Sequence, residues 1–595
     1  MTAAAPLPLD RVALTIGVTG HRDIPPEHIG ALRAAFAAIL DEVTAKNPST
    51  PVVVLSGLAA GADTLAAEVA LERNLPVVAC LPMPAEEYLT DFPDPAERAR
   101  FLAMLAACAR VDVVSDAADR RSRYLDAGLY VSHYSHVLVA FWDGAPARGR
   151  GGTAEVVEAR LSAVRVDDAQ SGNVAGLPDA GPVFRIATPR RGGTTLPDDP
   201  GTVLKLFPER FSGDVDFERD FDASLARLDA FNRDLPRLAA PNGRGASLAT
   251  LRDRTSELAT QLQTTTFRFL YALYITALVA TAAQYTTNQV LKFAMFPVAF
   301  VAYRIAKRFD YENRYQDYRA LSEGMRVQSA WFAAGLREEP ADRCYLGMQE
   351  RELQWIRLAL RYAFFAFRPA AGTGSVTDAA CREWIEGQWT YFKTKPRREE
   401  RWLRRLDLAA RAAFWGALTI SLALFAFLYL PTAPHTLAQS LEDWAAGAHL
   451  SGGFAAWIGA FGPGFERVQT AWDGSAFFTS GWFGALHAWD AGTTGVAHSP
   501  QHAWLVRLST GVLALYAALA ILISNYSDKR GFASSVKRYD RMFVVFDRAR
   551  ARLAAMPDPN VPLGREVVRE LGRAALIENA DWLLTRREHP LAFVT

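Results

Sequence analysis

The sequence of 595 residues contains little cysteine and carries almost no net charge. Its four cysteines have no paired spacing of the kind that marks a zinc site or a disulfide framework. The 65 basic and 64 acidic side chains leave a formal net charge of +1, so no global basic field indicates direct binding of nucleic acid. We therefore expect neither a metal site nor a cofactor, and no nucleic-acid partner.

Apolar residues must be concentrated in segments, because the mean hydropathy is +0.01 although 22% of the residues are charged. Four apolar runs approach or reach the roughly 20 residues that a helix needs to cross a bilayer. They occupy 269–285, 290–305, 412–430 and 508–526. Buried core helices of a soluble protein are the alternative, but four such runs with basic residues at the same predicted end favour transmembrane helices.

Basic residues predict the orientation of these spans. Residues 306–411 contain 20 lysines and arginines, whereas residues 432–502 contain only Arg467. We therefore expect a multi-pass membrane protein whose amino and carboxyl termini both face the cytoplasm, with 286–289 and 432–502 on the outer side.

The outer loop is rich in tryptophan, with Trp444, Trp457, Trp472, Trp482 and Trp489. This composition suits either a cap that lies at the membrane interface or a small folded lid with its own aromatic core. The histidines of the loop have no ligand spacing, so we predict no metal site there.

The first 190 residues alternate strand-length apolar runs with stretches of helical period. The runs occupy 12–18, 52–55, 76–81, 111–114 and 137–142, and 183–187 supplies a possible sixth strand. Short continuous apolar runs are typical of a parallel sheet that is covered by helices on both faces. The predicted fold is an α/β doubly wound, Rossmann-like domain, followed by an all-α membrane domain with four transmembrane helices. Residues 165–215, rich in Gly, Pro, Asp and Ser, are predicted to be a loop or linker.

These patterns divide the chain into eight segments. The predicted segments are a nucleotide-sensing domain (1–200), linker helices (201–265), a transmembrane hairpin (266–310), a cytoplasmic helical insertion (311–411), a third span (412–430), an extracytoplasmic Trp-rich loop (431–507), a fourth span (508–526) and cytoplasmic C-terminal helices (527–595).

Glycine-bearing turns follow the first, second and fifth apolar runs. In an open parallel sheet such turns all fall at the carboxyl ends of the strands, so the three converge on one crevice. Glycine lets the backbone approach a ligand, and helix N-termini present unpaired N–H groups to anions. The candidate ligand residues are Gly17, Thr19, Gly20, His21, Arg22, Ser56, Gly57, Gly61, Asp63, Asp143, Gly144, Arg148, Arg150, Gly151, Gly152, Thr153 and Glu155.

The turn after the first strand carries the main phosphate candidate. The Arg22 guanidinium can grip a phosphate through two hydrogen bonds, Thr19 offers a hydroxyl, and His21 can stack or donate. The alternative is a tight structural turn in which Arg22 pairs with Asp23 or Asp143.

The other two turns offer further polar contacts. Asp63 suits a ribose hydroxyl, or it caps the helix that begins near Ala62. Asp143 is a candidate for a ribose or purine contact. Arg148 and Arg150 are further phosphate candidates.

These turns resemble those of the SLOG superfamily, the Rossmann-like domains related to DprA and to the LOG nucleotide hydrolases. The resemblance covers about residues 11–190, and two later segments resemble the SLATT-type helical membrane domains of bacterial conflict systems. The later segments are Tyr318-Arg319-Ala320-Leu321-Ser322-Glu323-Gly324-Met325-Arg326-Val327-Gln328 and Ile577-Glu578-Asn579-Ala580-Asp581-Trp582.

The resemblance implies a sensor fused to an effector. The SLOG-like domain would bind a cyclic or ADP-ribose-type nucleotide signal made by a partner enzyme. The helices would then perturb the bacterial inner membrane during phage infection, as a homo-oligomer.

The third turn distinguishes a sensor from a hydrolase. LOG hydrolases carry a Gly-Gly-x-Gly-Thr-x-x-Glu pattern, with Arg and Glu acting at the glycosidic bond. Here Glu155 comes two rather than three residues after Thr153, and one residue rotates a helical side chain by about 100°. Glu158, about one turn further along, is a weak substitute. We therefore favour binding without turnover. The alternative is a membrane-anchored nucleotide N-glycosidic hydrolase with Glu155 as the catalytic group.

Overall fold

The computed structural model describes most of the chain. The described residues are 5–146, 151–162, 181–191, 198–207, 214–235, 247–285, 310–343, 353–369, 373–429, 500–530 and 532–588, with scattered positions between 290 and 308. They fall into two units: Met1–Gln263, Asn313–Phe392 and Arg541–Arg587 make up the first unit, and Thr264–Glu312, Lys393–Asp540 and Glu588–Thr595 make up the second unit.

Seven strands of the first unit form one sheet in the order β4-β3-β2-β1-β5-β6-β7. All neighbouring strands are parallel except β7, which is antiparallel to β6. The strands are β1 (Leu14–Gly20), β2 (Val52–Ser56), β3 (Val77–Leu81), β4 (Arg110–Val113), β5 (Val137–Trp142), β6 (Val183–Ala187) and β7 (Val203–Leu206). The predicted parallel α/β sheet is therefore confirmed.

Two features of the sheet bear on the sequence predictions. The fourth apolar run forms the edge strand β4, where Asp112 is tied to Arg110 at 2.8 Å. The stretch at 165–215 is not wholly a loop, because it contributes β6 and β7. Val203 and Leu204 of β7 are 37% and 38% exposed, as expected of a short edge strand that has little apolar pattern to reveal it.

The α-helices continue the alternation and then extend far beyond it. In chain order they are α1 (Ile29–Lys46), α2 (Ala62–Glu72), α3 (Ala85–Tyr88), α4 (Pro95–Ala107), α5 (Arg120–Tyr134), α6 (Thr153–Ser162), α7 (Asp214–Asp234), α8 (Leu248–Gln284), α9 (Tyr311–Ala333), α10 (Pro340–Arg343), α11 (Gln354–Phe367), α12 (Ala379–Tyr429), α13 (Pro500–Arg530), α14 (Phe532–Ala554) and α15 (Pro562–Glu588).

The sheet is buried on both faces. Side chains alternate across a strand, so Leu14, Ile16 and Val18 of β1 enter one core together with apolar residues of α1, α2 and α4. On the opposite face a Cβ at Gly17 would lie 2.8 Å from the Ser135 Cβ, at the end of α5. Burial on both faces explains why the strands β2 and β3 contain no exposed residue.

The long apolar helices include three candidate membrane spans among the described residues. They lie in Leu248–Gln284, Ala379–Ala423 and Thr510–Ser527. The predicted runs at 269–285, 412–430 and 508–526 overlap these helices. Only scattered positions of 290–305 are described, so the second predicted span, and with it a total of four, stays a prediction.

All three of these helices are longer than the predicted spans. Helix α8 has 37 residues and α12 has 51, so helices that begin in the predicted linker segment (201–265) and in the predicted cytoplasmic insertion (311–411) continue without a break into apolar runs. Helix α13 begins at Pro500, within the segment assigned to the Trp-rich loop, and residues 431–499 of that loop lie outside the described residues.

A buried histidine connects the sheet to helix α11. The His136 Nδ1 accepts the Thr15 N–H at 2.8 Å, and its Nε2 lies 3.2 Å from the Leu358 carbonyl oxygen. This arrangement fits a neutral ring that is protonated at Nε2. Burial lowers the pKa of His136 from 6.5 to about 4.

We expect this histidine to make stability depend on pH. In the unfolded chain His136 becomes protonated below about pH 6.5, whereas in the folded chain it stays neutral down to about pH 4. The free energy of unfolding therefore falls as the pH drops through that window. The loss is about 3 kcal/mol at most. Denaturant unfolding of the wild type and of His136→Gln at both ends of the window tests this. If the free energy of unfolding of the variant depends on pH as strongly as that of the wild type, His136 is not the group responsible.

Candidate functional site

The candidate site lies where the strand order reverses. The chain runs outward from β1 through β2 and β3 to β4, and then returns to place β5 on the other side of β1. In open parallel sheets this arrangement leaves a crevice at the carboxyl ends of the two central strands, where ligands bind. Strands β1 and β5 end here at Gly20 and Trp142.

The first two turns pack tightly against each other. The Ala62 N–H donates to the His21 carbonyl at 3.0 Å, which joins the end of β1 to the start of α2. Gly61 has φ +86°, and a Cβ there would lie 2.5 Å from the His21 and Arg22 carbonyl oxygens. A Cβ at Gly20 would collide with the side chains of Ala62 and Phe141. Atoms of the chain itself occupy the space where a Cβ of residue 20 or 61 would lie, so packing requires glycine at both positions.

His21 and Asp143 hold the turn after β5. The His21 ring is 6% exposed, and its Nε2 accepts the Asp143 N–H at 3.0 Å. Burial lowers the pKa of His21, which matches this acceptor role. The Asp143 carboxylate accepts the Ala145 N–H at 3.0 Å. At Gly144, with φ +83°, a Cβ would lie 3.2 Å from the Arg185 guanidinium.

The second turn is closed by Asp63. Its carboxylate accepts hydrogen bonds from the Gly57 and Ala59 backbone N–H groups. The Ser56 hydroxyl donates to the Asp63 carbonyl at 3.0 Å and accepts the Leu58 N–H at 3.1 Å. Because Gly61 precedes the first residue of α2, Asp63 does not cap that helix but folds back on the loop. Burial raises the pKa of Asp63 to about 7.

The third turn is capped by Glu155. Its carboxylate accepts the Gly151 N–H at 2.6 Å, which ties the turn to the first turn of α6. Gly151 has φ +83°, and a Cβ there would lie 3.1 Å from the Arg121 carbonyl oxygen. Thr153, the first residue of α6, is buried. Arg148 and Arg150 lie outside the described residues.

Among the candidate residues that the structure describes, Arg22 has the most exposed charged side chain. Its side chain is 48% exposed and its Nη1 lies 3.4 Å from the Asp91 carboxylate. The guanidinium carbon lies 5.1 Å from the centre of the Tyr124 ring, within the range of a cation–π contact. Neither predicted partner is used. Asp23 pairs with Arg190 at 3.1 Å, and Asp143 contacts His21.

Residues not selected from the sequence complete this cluster. Arg120 binds the Asp91 carboxylate at 2.5 Å and the Tyr124 hydroxyl at 2.9 Å, and the same hydroxyl donates to Asp91. Arg120 and Tyr124 lie in the first turns of α5, and Asp91 follows the short helix α3. We name Arg22, Asp91, Arg120 and Tyr124 the Arg22 cluster.

One sequence signal could have found Arg120. Asp119 caps α5 by accepting the Ser122 N–H at 2.8 Å, and the first turn behind it contains arginines but no acidic residue. Cations in a first helical turn oppose the helix dipole, so they need another reason to be there. Asp91 had no such signal, because it ends a single 3₁₀ turn, Leu89–Asp91, between β3 and α4.

Two other kinds of site find no support in the part of the chain that the structure describes. A shallow cleft between α1, β5 and β6 lies at the opposite, amino ends of the strands. Its charged residues satisfy one another, with Lys205–Glu218 at 3.1 Å and Lys46–Glu42 at 3.0 Å, so it offers an incoming ligand no open charge. Within the described ranges, no group of three or more His, Cys, Asp or Glu side chains could hold a metal ion.

Comparisons of the sequence with protein-family models and with curated proteins gave no match. The candidate site therefore stands on its geometry and on the chemistry of its residues.

We expect the raised pKa of Asp63 to control the affinity of the crevice for anions. Below about pH 7 its carboxyl group is neutral, and one negative charge near Arg22 is removed. A phosphodiester, whose own charge is constant here, should bind about tenfold more tightly at pH 6 than at pH 8. Calorimetric titration measures this. In Asp63→Asn the difference should vanish, and its persistence would exclude Asp63 as the cause.

We expect Glu155 to act on stability alone. Glu155→Ala should lose about 1 kcal/mol by leaving the Gly151 N–H uncapped, whereas Glu155→Gln keeps an acceptor and should lose less. Chromatography of wild-type protein incubated with nucleoside monophosphates should detect no free base. Base release by the wild type that disappears in Glu155→Gln would instead identify Glu155 as catalytic.

Proposed function

We propose that this chain is a membrane effector. It binds a nucleotide-derived signal at the crevice beside β1 and responds by permeabilising the inner membrane in anti-phage defence. The observation that carries the proposal is Arg22, a half-exposed arginine at the reversal point of a parallel sheet, in a chain with three candidate spans.

The Arg22 cluster supports phosphate binding. Asp91 is held by Arg120 at 2.5 Å and by the Tyr124 hydroxyl, so it does not depend on Arg22, which is 3.4 Å away. Arg22 can therefore exchange this long contact for two hydrogen bonds to a phosphate. Tyr124 lies beneath the guanidinium and restricts where it can go. A nucleotide is the favoured ligand because its phosphate fits Arg22 and its sugar and base would extend along the crevice.

The contacts of the candidate site do not support the hydrolase alternative. Its catalytic group would be Glu155, and that carboxylate is engaged by the Gly151 N–H. This hydrogen bond holds the Glu155 side chain against the backbone of its own turn, which favours a structural role. Binding without turnover is therefore the proposed mode.

The remaining parts of the proposal follow from sequence and from energetics. A signal changes a protein only if it binds one arrangement more tightly than another. We propose that binding favours a homo-oligomer with cytoplasmic termini, because a few spans in a single copy enclose little. A separate enzyme would supply the signal. The role in defence rests on the resemblance to SLOG and SLATT-type proteins.

The test is calorimetric titration of the detergent-solubilised full chain with cyclic and ADP-ribose-type nucleotides. Arg22→Ala should weaken binding by about tenfold to a hundredfold, because a hydrogen bond to a charged group contributes about 1.5–3 kcal/mol. Arg100→Ala is the matched control, since Arg100 is also 48% exposed and pairs with Glu68 at 2.6 Å. Failure of every nucleotide to bind, or equal losses in the two variants, would contradict the proposal.

A further inference from the structure

Helix α12 carries a cluster of exposed arginines immediately before an apolar run. We name Arg397, Arg398, Arg401, Arg404, Arg405 and Arg411 the basic collar, and each of them is exposed. Arg404 and Arg411 are 75% and 65% exposed. The collar ends where the uncharged run at 412–429 begins, and both lie in the second unit.

The collar and the apolar run share one side of the helix. Residues three, four and seven apart in a helix lie on the same side, which aligns Arg397, Arg401, Arg404 and Arg411. The same side continues through Trp415, which is 60% exposed, to Leu422, which is 59% exposed. One exposed stripe therefore changes from basic to apolar between Arg411 and Trp415.

The charge of this segment is open to an anionic partner. Residues 393–411 contain eight basic and three acidic side chains, a net charge of +5. Arg404 pairs with Glu400 at 2.5 Å and Arg411 with Asp407 at 2.9 Å, each one helical turn away. Exposed pairs of this kind contribute little to stability, so they can yield to a phosphate.

We propose that the basic collar binds the phosphate groups of anionic lipids at the bilayer surface where α12 enters. A run of basic residues beside a transmembrane helix is attracted to anionic headgroups by about 1 kcal/mol per residue. Trp402 and Trp415, 47% and 60% exposed, lie on either side of the boundary, as tryptophans at membrane interfaces do.

The distance of each arginine from the start of the apolar run determines how strongly it should attract lipid headgroups. At about 1.5 Å per residue, Arg404, Arg405 and Arg411 lie within about 12 Å of Ala412. Arg397 and Arg398 lie about 21 Å or more away, more than twice the Debye length of about 8 Å at physiological salt, so their attraction is screened most strongly. The first three therefore carry most of the attraction. This inference requires α12 to enter a bilayer, but it is independent of nucleotide binding.

The test follows thermal unfolding of the full chain in neutral detergent, with added phosphatidylglycerol, phosphatidylcholine or inorganic phosphate. Phosphatidylglycerol should raise the unfolding temperature at concentrations about tenfold lower than phosphatidylcholine requires. The triple variant R404Q/R405Q/R411Q should need about tenfold more phosphatidylglycerol, or more, for half of the maximal shift. Any shift with inorganic phosphate should be the same in the wild type and in the triple variant, because free phosphate does not need the collar.

Two further variants make the result specific. R548Q/R552Q/R565Q removes the same charge from exposed positions of α14 and α15, and should respond like the wild type. R404K/R405K/R411K keeps the charge and should also respond, with a shift that shrinks as salt rises. Equal responses to the two lipids, or equal losses in the two glutamine variants, would overturn the proposal. A shift with inorganic phosphate that R404Q/R405Q/R411Q loses would overturn it too, and would assign the collar to free phosphate.

Discussion

The candidate site depends on the contact between the end of β1 and the start of α2. The His21 carbonyl accepts the Ala62 N–H, and Gly20 and Gly61 allow the two backbones to meet without a Cβ between them. Larger residues at either glycine would separate the turns and move Arg22 away from Tyr124. The position of the half-exposed guanidinium is thus set by a packing constraint on backbone atoms.

Two internal carboxylates determine what else the crevice can bind. Asp63 accepts the N–H groups of the second turn, and Glu155 accepts the Gly151 N–H of the third. The N–H groups of Gly57, Ala59 and Gly151 are therefore already engaged within the chain and are not open to a phosphate. A negatively charged ligand would therefore be bound by side chains. Arg22 is open to such a ligand, while Arg120 holds Asp91 in place.

Sequence patterns predicted the elements better than the contacts between them. Continuous apolar runs such as Val137–Trp142 marked buried parallel strands, because burial on both faces leaves no polar position. The edge strand β7 and the unbroken lengths of α8 and α12 were not predicted, since neither a half-exposed strand nor an uninterrupted helix leaves a strong local signal. At the site, the sequence pointed to Arg22 but not to Asp91. Their meeting depends on the fold, which joins segments 69 residues apart.

The central claim is that a nucleotide at the sheet controls permeability of the membrane. The most direct measurement is potassium or dye release from liposomes that contain the reconstituted full chain, with and without cyclic and ADP-ribose-type nucleotides. The account predicts intact liposomes without a nucleotide and rapid release when the correct one is added. Release that is the same in its presence and absence, or no release with any nucleotide of either class, would contradict it.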